Sequence, residues 1–168
     1  AWPAHLPMSV RISAHDWVEG GITPDDAVEI ARIFKAAGAD LIDCSSGQVS
    51  KDEKPVYGRM FQTPFADRIR NEAEIPTIAV GAISEADHVN SIIAAGRADL
   101  CAVARPHLAN PAWSLMEAAK IGYLDVEWPR QYTSAKMQLE RNLEREKLMA
   151  AQAAGLTPLE QANRAVGV

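Results

Sequence analysis

The sequence predicts an α/β fold in which strands and helices alternate and the strands run parallel. Three observations favour it. Short apolar runs without strict polar alternation recur along the chain, which is typical of parallel strands covered on both faces. Between them lie segments whose apolar residues repeat at helical spacing. After EWPRQY (127–132) the composition shifts to residues that favour helix, which predicts a helical tail.

Four βα units follow one another along the chain. The predicted strands are VRIS (10–13), ADLIDCSS (39–46), IPTIAVG (75–81) and ADLCAVA (98–104). The predicted helices between them are residues 24–38, about 65–74 and 84–96. A closed (β/α)8 barrel needs eight such units and about 250 residues. If the chain is part of a barrel, we therefore expect its first half to be absent from this chain.

The end of the chain predicts helices without strands. SAKMQLERNLEREKLMAAQAAG (134–155) is rich in helix-forming residues, so a long helix is expected there. The tetrapeptide T-P-L-E (157–160) has the pattern of a capping box with proline at the first helical position. It predicts the start of a second short helix.

Composition excludes several classes of protein. The chain has 168 residues, of which 48% are hydrophobic and 23% charged, as in an ordinary globular domain. No apolar run approaches about 20 residues, so we expect no membrane span. The net charge of −5 argues against a nucleic-acid partner. Cys44 and Cys101 lie in apolar runs without C-x-x-C spacing, so we expect reduced thiols, no metal site and a cytoplasmic setting.

Small residues and arginines occur where the predicted strands end, which is where ligands of parallel α/β proteins collect. Gly81 and Ala82 follow the third strand, and Ala104 and Arg105 follow the fourth. A barrel carries its usual phosphate site at this place, and an arginine can bind phosphate through two parallel hydrogen bonds. We therefore expect a phosphate site there. For Arg11, inside the first strand, a ligand contact is favoured over a structural ion pair.

Three residues of the loop after the first strand are further candidates for contact with a ligand. His15 and Asp16 are more typical of polar loop residues than of ligand-binding groups. Trp17 could cover a pocket or simply pack, and the sequence leaves both possibilities open.

Four stretches of the chain occur in the order found in a known family. They are PMSVRISAHDWVEGG (7–21), GADLIDCSSG (38–47), IPTIAVGAI (75–83) and GRADLCAVARPHLANP (96–111). Together they resemble the second half of the old yellow enzyme family of FMN-dependent ene-reductases and NAD(P)H:flavin oxidoreductases, over about residues 7–122. The resemblance implies that residues 1–125 are the C-terminal half of an FMN-binding (β/α)8 barrel, followed by the helical tail at 126–168. It also implies FMN and NAD(P)H as cofactors.

The resemblance assigns roles to the residues already selected. Arg11 matches the arginine that faces the N1/O2 edge of the flavin, where a positive charge stabilises the anionic reduced form. Gly81 and Ala82 match backbone contacts near the flavin phosphate, which Arg105 would bind. The family usually has Gly-Arg where this chain has Ala104 and Arg105. The family's substrate-binding histidines and flavin-contacting glutamine belong to the first half of the barrel, so no catalytic residue is assigned.

The tail extends the resemblance. EWPRQYTSAKMQLERNLER (127–145) is similar to the end of proteins in which an aromatic-ring monooxygenase precedes this barrel and acts on 2-aminobenzoyl-CoA or salicylyl-CoA. This similarity implies a barrel that reduces a dearomatised aromatic acyl-CoA made by the fused monooxygenase. The chain alone is expected to be inactive, and to form a homo-oligomer because open strand edges favour association. The alternative function is a phosphate-binding or scaffolding half-barrel without redox chemistry.

Overall fold

The structure, a computed structural model, describes residues 2, 3 and 5–155. The chain divides into two compact units, one ending at Pro111 and the other beginning at Ala112. The helix start predicted at residues 157–160 lies outside the described residues. The domain boundary expected at residue 125 remains a prediction.

The first unit is a four-stranded parallel sheet with helices between its strands. The strands are β1 (Ser9–Ser13), β2 (Leu41–Ser45), β3 (Thr77–Val80) and β4 (Leu100–Ala102), in the spatial order β1-β2-β3-β4. The helices are α1 (Pro24–Ala36), α2 (Thr63–Glu72), α3 (Ala86–Ala94) and α4 (Arg105–Ala109). An open doubly wound sheet reverses its strand order at a switch point, whereas a barrel keeps the order of the chain. The observed order is that of a barrel arc.

Helices α1, α2 and α3 pack against one face of this sheet. Burial alternates along the strands, so that Ile12, Ile42, Cys44 and Ala79 enter the core while their neighbours in sequence face the other way. Within the described residues, the second face is only partly covered. Leu100 on the second face is 53% exposed. An arc of a barrel turns that face toward the barrel interior, where side chains of further strands would pack against it.

The second unit contains helix α5 (Trp113–Lys120), a short 3₁₀ turn (Arg130–Tyr132) and helix α6 (Thr133–Ala153). The long tail helix predicted from composition is therefore confirmed. Lys136 on α6 donates to the backbone oxygens of Leu124 and Val126, at 2.7 and 3.4 Å, which ties the preceding segment to the helix. Within the described ranges, no helix has both the length and the apolar character needed to cross a membrane.

Candidate functional site

A cavity of about 520 Å³ lies beyond the carboxyl ends of β3 and β4. Its walls include Gly81, Ala82, Ala104 and Arg105, so the structure brings together the four residues that were selected for a phosphate site. A volume of this size is within the range of small-molecule sites. The remaining lining residues are Arg59, Val80, Ile83, Ser84, Ala102 and Pro106.

Two arginine side chains give this cavity its charge. Arg105 is the first residue of α4, and Arg59 lies in the loop between β2 and α2. Both are exposed, and in the part of the chain that the structure describes neither has an ion-pair partner. The cavity lining contains no carboxylate. Unpaired guanidinium groups in a hollow of this kind fit an anionic ligand such as phosphate.

The turn after β3 depends on a close contact between Gly81 and Gln62. Gly81 has φ +107°, and a Cβ there would lie 2.5 Å from Gln62 Nε2 and 3.0 Å from Phe61 Cε1. The Gln62 side chain is held in place because its Nε2 donates to Val80 O at 2.7 Å and its Oε1 accepts from Ser46 Oγ at 2.7 Å. A residue without a side chain is therefore required at position 81.

Gln62 belongs to a hydrogen-bonded chain that links three strand ends. Trp17 Nε1 after β1 donates to Ser46 Oγ after β2 at 3.0 Å, and Ser46 in turn donates to Gln62, which reaches the end of β3. Sequence reasoning missed Gln62, which is only 5% exposed, because a glutamine in a polar loop carries no periodic signal. Arg59 was missed for the same reason. The loop that carries Arg59 and Gln62 reaches Gly81 only in the folded chain, so local sequence does not predict this contact.

The comparisons with known proteins identify the family. The model of the NADH:flavin oxidoreductase / NADH oxidase family matches residues 3–122. The chain belongs to the NADH:flavin oxidoreductase / NADH oxidase family. Among its curated relatives are the NADPH dehydrogenases of Halalkalibacterium halodurans, 43% identical over 129 residues, and of Clostridium acetobutylicum, 36% identical over 135 residues. These matches cover 77% and 80% of this chain but only 38% and 39% of the relatives.

A solved structure agrees with the fold. Histamine dehydrogenase from Rhizobium sp. 4-9 matches with a TM-score of 0.56 and 22% sequence identity, over 70% of this chain and 17% of that protein. The predicted fold class, an α/β part of a (β/α)8 barrel with about four βα units and a helical tail, is thereby confirmed. The sequence resemblance to the flavin oxidoreductase family is confirmed as well.

Arg11 lies on the second face of the sheet, the face that also carries Leu100 and that we call the open face. It is not among the residues that line the cavity. Its Nε contacts Oδ2 of Asp43, its register partner on β2, at 3.0 Å. The structural ion pair that ranked second in the sequence analysis is thus present. The Arg11 side chain is nevertheless 58% exposed, against 18% for Asp43. The ion pair therefore orients the guanidinium and leaves much of its surface open to a ligand.

The loop after β1 is held by its own polar groups. Asp16 is buried and accepts hydrogen bonds from Ser13 Oγ and from the Ile22 amide, both at 2.8 Å. His15 Nδ1 accepts from the Trp17 amide at 2.7 Å, and the two rings stack with their centroids 4.5 Å apart. His15 and Asp16 are loop polar groups, and Trp17 packs, as its edge contact with Phe65 also shows.

Proposed function

We propose that the chain is the FMN-binding C-terminal part of an NAD(P)H oxidoreductase of the ene-reductase type. The observation that carries this proposal is the cavity at the ends of β3 and β4, in which Arg105 and the Gly81–Ala82 turn meet without a carboxylate. Family membership and the relatives named NADPH dehydrogenase support it. The chain spans under two fifths of the length of these relatives, 36 to 38%, so the activity of the whole protein is part of the proposal. FMN, when bound, supplies hydride transfer between a nicotinamide and an acceptor.

The residues present fit the phosphate end of FMN. Arg105 would bind the phosphate through charge-assisted hydrogen bonds, and the absence of a side chain at Gly81 and the small one at Ala82 let an anion approach the backbone. Ala104 replaces the glycine that is usual in the family, so its methyl group restricts the approach on that side. These groups hold and orient the phosphate, while the sugar and ring need walls from elsewhere.

At the other end of the flavin we propose a role for Arg11. On the family resemblance its guanidinium holds positive charge at the N1/O2 edge, where negative charge develops on reduction. Asp43 fixes the guanidinium through Nε, and the exposed remainder faces the open side of the sheet. Replacing Arg11 by alanine should lower the reduction potential and the rate of flavin reduction more than it lowers FMN affinity. A potential equal to that of the wild type would contradict this role.

The decisive experiment measures FMN binding to the full gene product by fluorescence titration. We expect Arg105→Ala to weaken binding tenfold or more, because a charge-assisted hydrogen bond contributes about 1.5–3 kcal/mol. Arg145→Ala, which removes an exposed arginine from α6, is the matched control and should bind FMN normally. Equal affinities of the wild type and Arg105→Ala would refute the phosphate role.

The substrate class is a finer proposal. We propose that the acceptor is a dearomatised aromatic acyl-CoA made by a monooxygenase fused to the barrel in a cytoplasmic enzyme. The similarity of residues 127–145 to the end of such fused proteins supports it. Reading the complete gene tests the fusion directly, since a reading frame without a monooxygenase domain would contradict it. Assay of the gene product with 2-aminobenzoyl-CoA, NAD(P)H and oxygen, followed by mass spectrometry, tests the substrate.

A non-redox half-barrel is the alternative function. The observation in its favour is the sheet itself, whose β1 and β4 each pair on one side only within the described residues. Such a protein would bind phosphate and assemble through its edges without flavin. Purified gene product with no flavin absorbance, even after incubation with FMN, would favour this alternative.

A further inference from the structure

The loop that carries Arg59 is fastened to the turn of the phosphate cavity. The amide of Met60, the next residue, donates to Ala82 O at 3.2 Å, and the Met60 carbonyl accepts from the Thr63 amide at 2.9 Å. Met60 has φ +54°, so the chain turns sharply at this point. Gln62 adds the bond to Val80 O described above. Arg59 is therefore held beside the cavity by its neighbours, and none of these contacts uses its side chain.

The charge of the cavity has no internal compensation. Arg59 and Arg105 are like charges in one hollow, and its lining offers neither an acidic side chain nor another anionic group. Two guanidinium groups that line one cavity without a carboxylate leave its positive charge uncompensated, and this charge favours the binding of an anion. A phosphate monoester, which carries up to two negative charges and three acceptor oxygens, matches this arrangement better than a singly charged carboxylate does.

We propose that Arg59 is a second phosphate-binding arginine of this cavity, supplied by the β2–α2 loop and acting together with Arg105. The inference rests on the proposed function, and it adds a residue from a different βα unit to the site. The phosphate could be that of FMN or one carried by NADPH. Both phosphates have the negative charge and acceptor oxygens that two arginines recognise. Binding measurements with related ligands that lack the phosphate in question distinguish between the two sources.

The test titrates the full gene product with FMN and with riboflavin, which lacks the phosphate. We expect Arg59→Gln to weaken FMN binding about tenfold or more and to leave riboflavin binding unchanged. Arg59→Lys should retain part of the affinity, because it keeps the charge but loses the two-pronged geometry. Lys51→Gln is the matched control, since it removes a positive charge from the same loop where the residue lines a different hollow. It should bind FMN as the wild type does.

A second titration compares NADPH with NADH, which lacks the 2′-phosphate. If Arg59→Gln weakens the binding of NADPH alone and leaves FMN binding unaffected, Arg59 binds the 2′-phosphate on the adenosine ribose of NADPH. Equal loss for FMN and riboflavin, an equal effect of Lys51→Gln, or no change with any ligand would overturn the proposal. A wild-type protein that binds no FMN would instead refute the proposed function itself. Thermal melting of each variant verifies that it is folded.

Discussion

At the scale of single residues, Gly81 shows how one position can meet two separate demands. Its φ of +107° lies where side chains are rarely tolerated, and Gln62 occupies the space that a Cβ would need. Gln62 cannot withdraw without cost because both ends of its amide are bonded, to Ser46 and to Val80. The cost of the positive φ and the cost of the clash with Gln62 can be measured separately, because Gly38 also has a positive φ but a Cβ there would meet no neighbouring atom.

We predict that Gly81→Ala destabilises the protein by at least about 1 kcal/mol more than Gly38→Ala. Gly38 has φ +100°, and a Cβ there would meet no atom within 4 Å, so its substitution costs only the backbone strain, about 1–3 kcal/mol. At Gly81 the displacement of Gln62 adds the loss of hydrogen bonds worth about 0.5–1.5 kcal/mol each. Urea denaturation of the two variants measures the difference. Equal losses of unfolding free energy in the two variants would contradict the prediction, because they would show that Gln62 moves aside without cost.

The thiols give a second prediction at this scale. Burial, with a smaller effect from the Asp43 charge, raises the pKa of Cys44 to about 12, and burial also raises the pKa of Cys101. Because the thiolate is the reactive form, both cysteines should react slowly with a disulfide reagent at pH 8 in the folded protein. Both should react at once in concentrated urea. Rapid labelling of Cys44 in the native protein, located by mass spectrometry, would contradict its burial.

At the scale of elements, one ion pair joins a helix to the amino ends of two strands. Arg70 on α2 donates to both carboxylate oxygens of Asp99, each at 3.1 Å, and to Gly96 O at 3.0 Å. Asp99 also accepts from the amide of Thr77, the first residue of β3, at 2.9 Å. Burial acts to raise the pKa of Asp99, but the hydrogen bonds from Arg70 and Thr77 outweigh it, so this pKa lies below its usual value.

We predict that Asp99→Asn costs stability chiefly above pH 4. Because the pKa is lower in the folded than in the unfolded state, the ionised carboxylate stabilises the fold above the unfolded pKa of about 3.9. That stabilisation is lost as the pH falls through the folded pKa. The difference in the free energy of unfolding between the variant and the wild type, measured by urea denaturation at each pH, should therefore be largest near pH 7 and should become smaller in acid. Asp52→Asn, at an exposed position, is the control, and a gap of constant size for Asp99→Asn would contradict this linkage.

The positions of the elements were predictable because each depends on local sequence. The first helix was expected at residues 24–38 and spans Pro24–Ala36, where Thr23 and Asp26 form a capping box. The face that each strand buries was not predictable in the same way. Apolar residues on both sides of β3 concealed the difference between the side packed on helices and the side turned to the barrel interior. The contacts of Arg59 and Gln62 with the β3 turn depend on loop conformation, which has no periodic signature.

At the scale of the whole molecule, the open side of the sheet is the dominant feature. Arg11, Asp43, Ile78 and Leu100 occupy one register row across the four strands on this face. In a closed barrel such a row meets the side chains of the other strands. The described residues of this chain provide a charged half of the row at Arg11 and Asp43 and an apolar half at Ile78 and Leu100. The apolar half adjoins the edge strand β4, where backbone groups can pair with another strand.

We predict that the 168-residue chain by itself associates into dimers or larger species through this edge. Burial of a leucine side chain contributes about 1.5–3 kcal/mol, and a symmetric dimer buries each contact twice. Leu100→Lys should therefore raise the dissociation constant at least tenfold, because it places a charge at the contact. Ile33→Lys is the matched control, since Ile33 is 67% exposed on α1, away from the open face. Light scattering over a concentration series measures both, and a monodisperse monomer at every concentration would contradict association through β4.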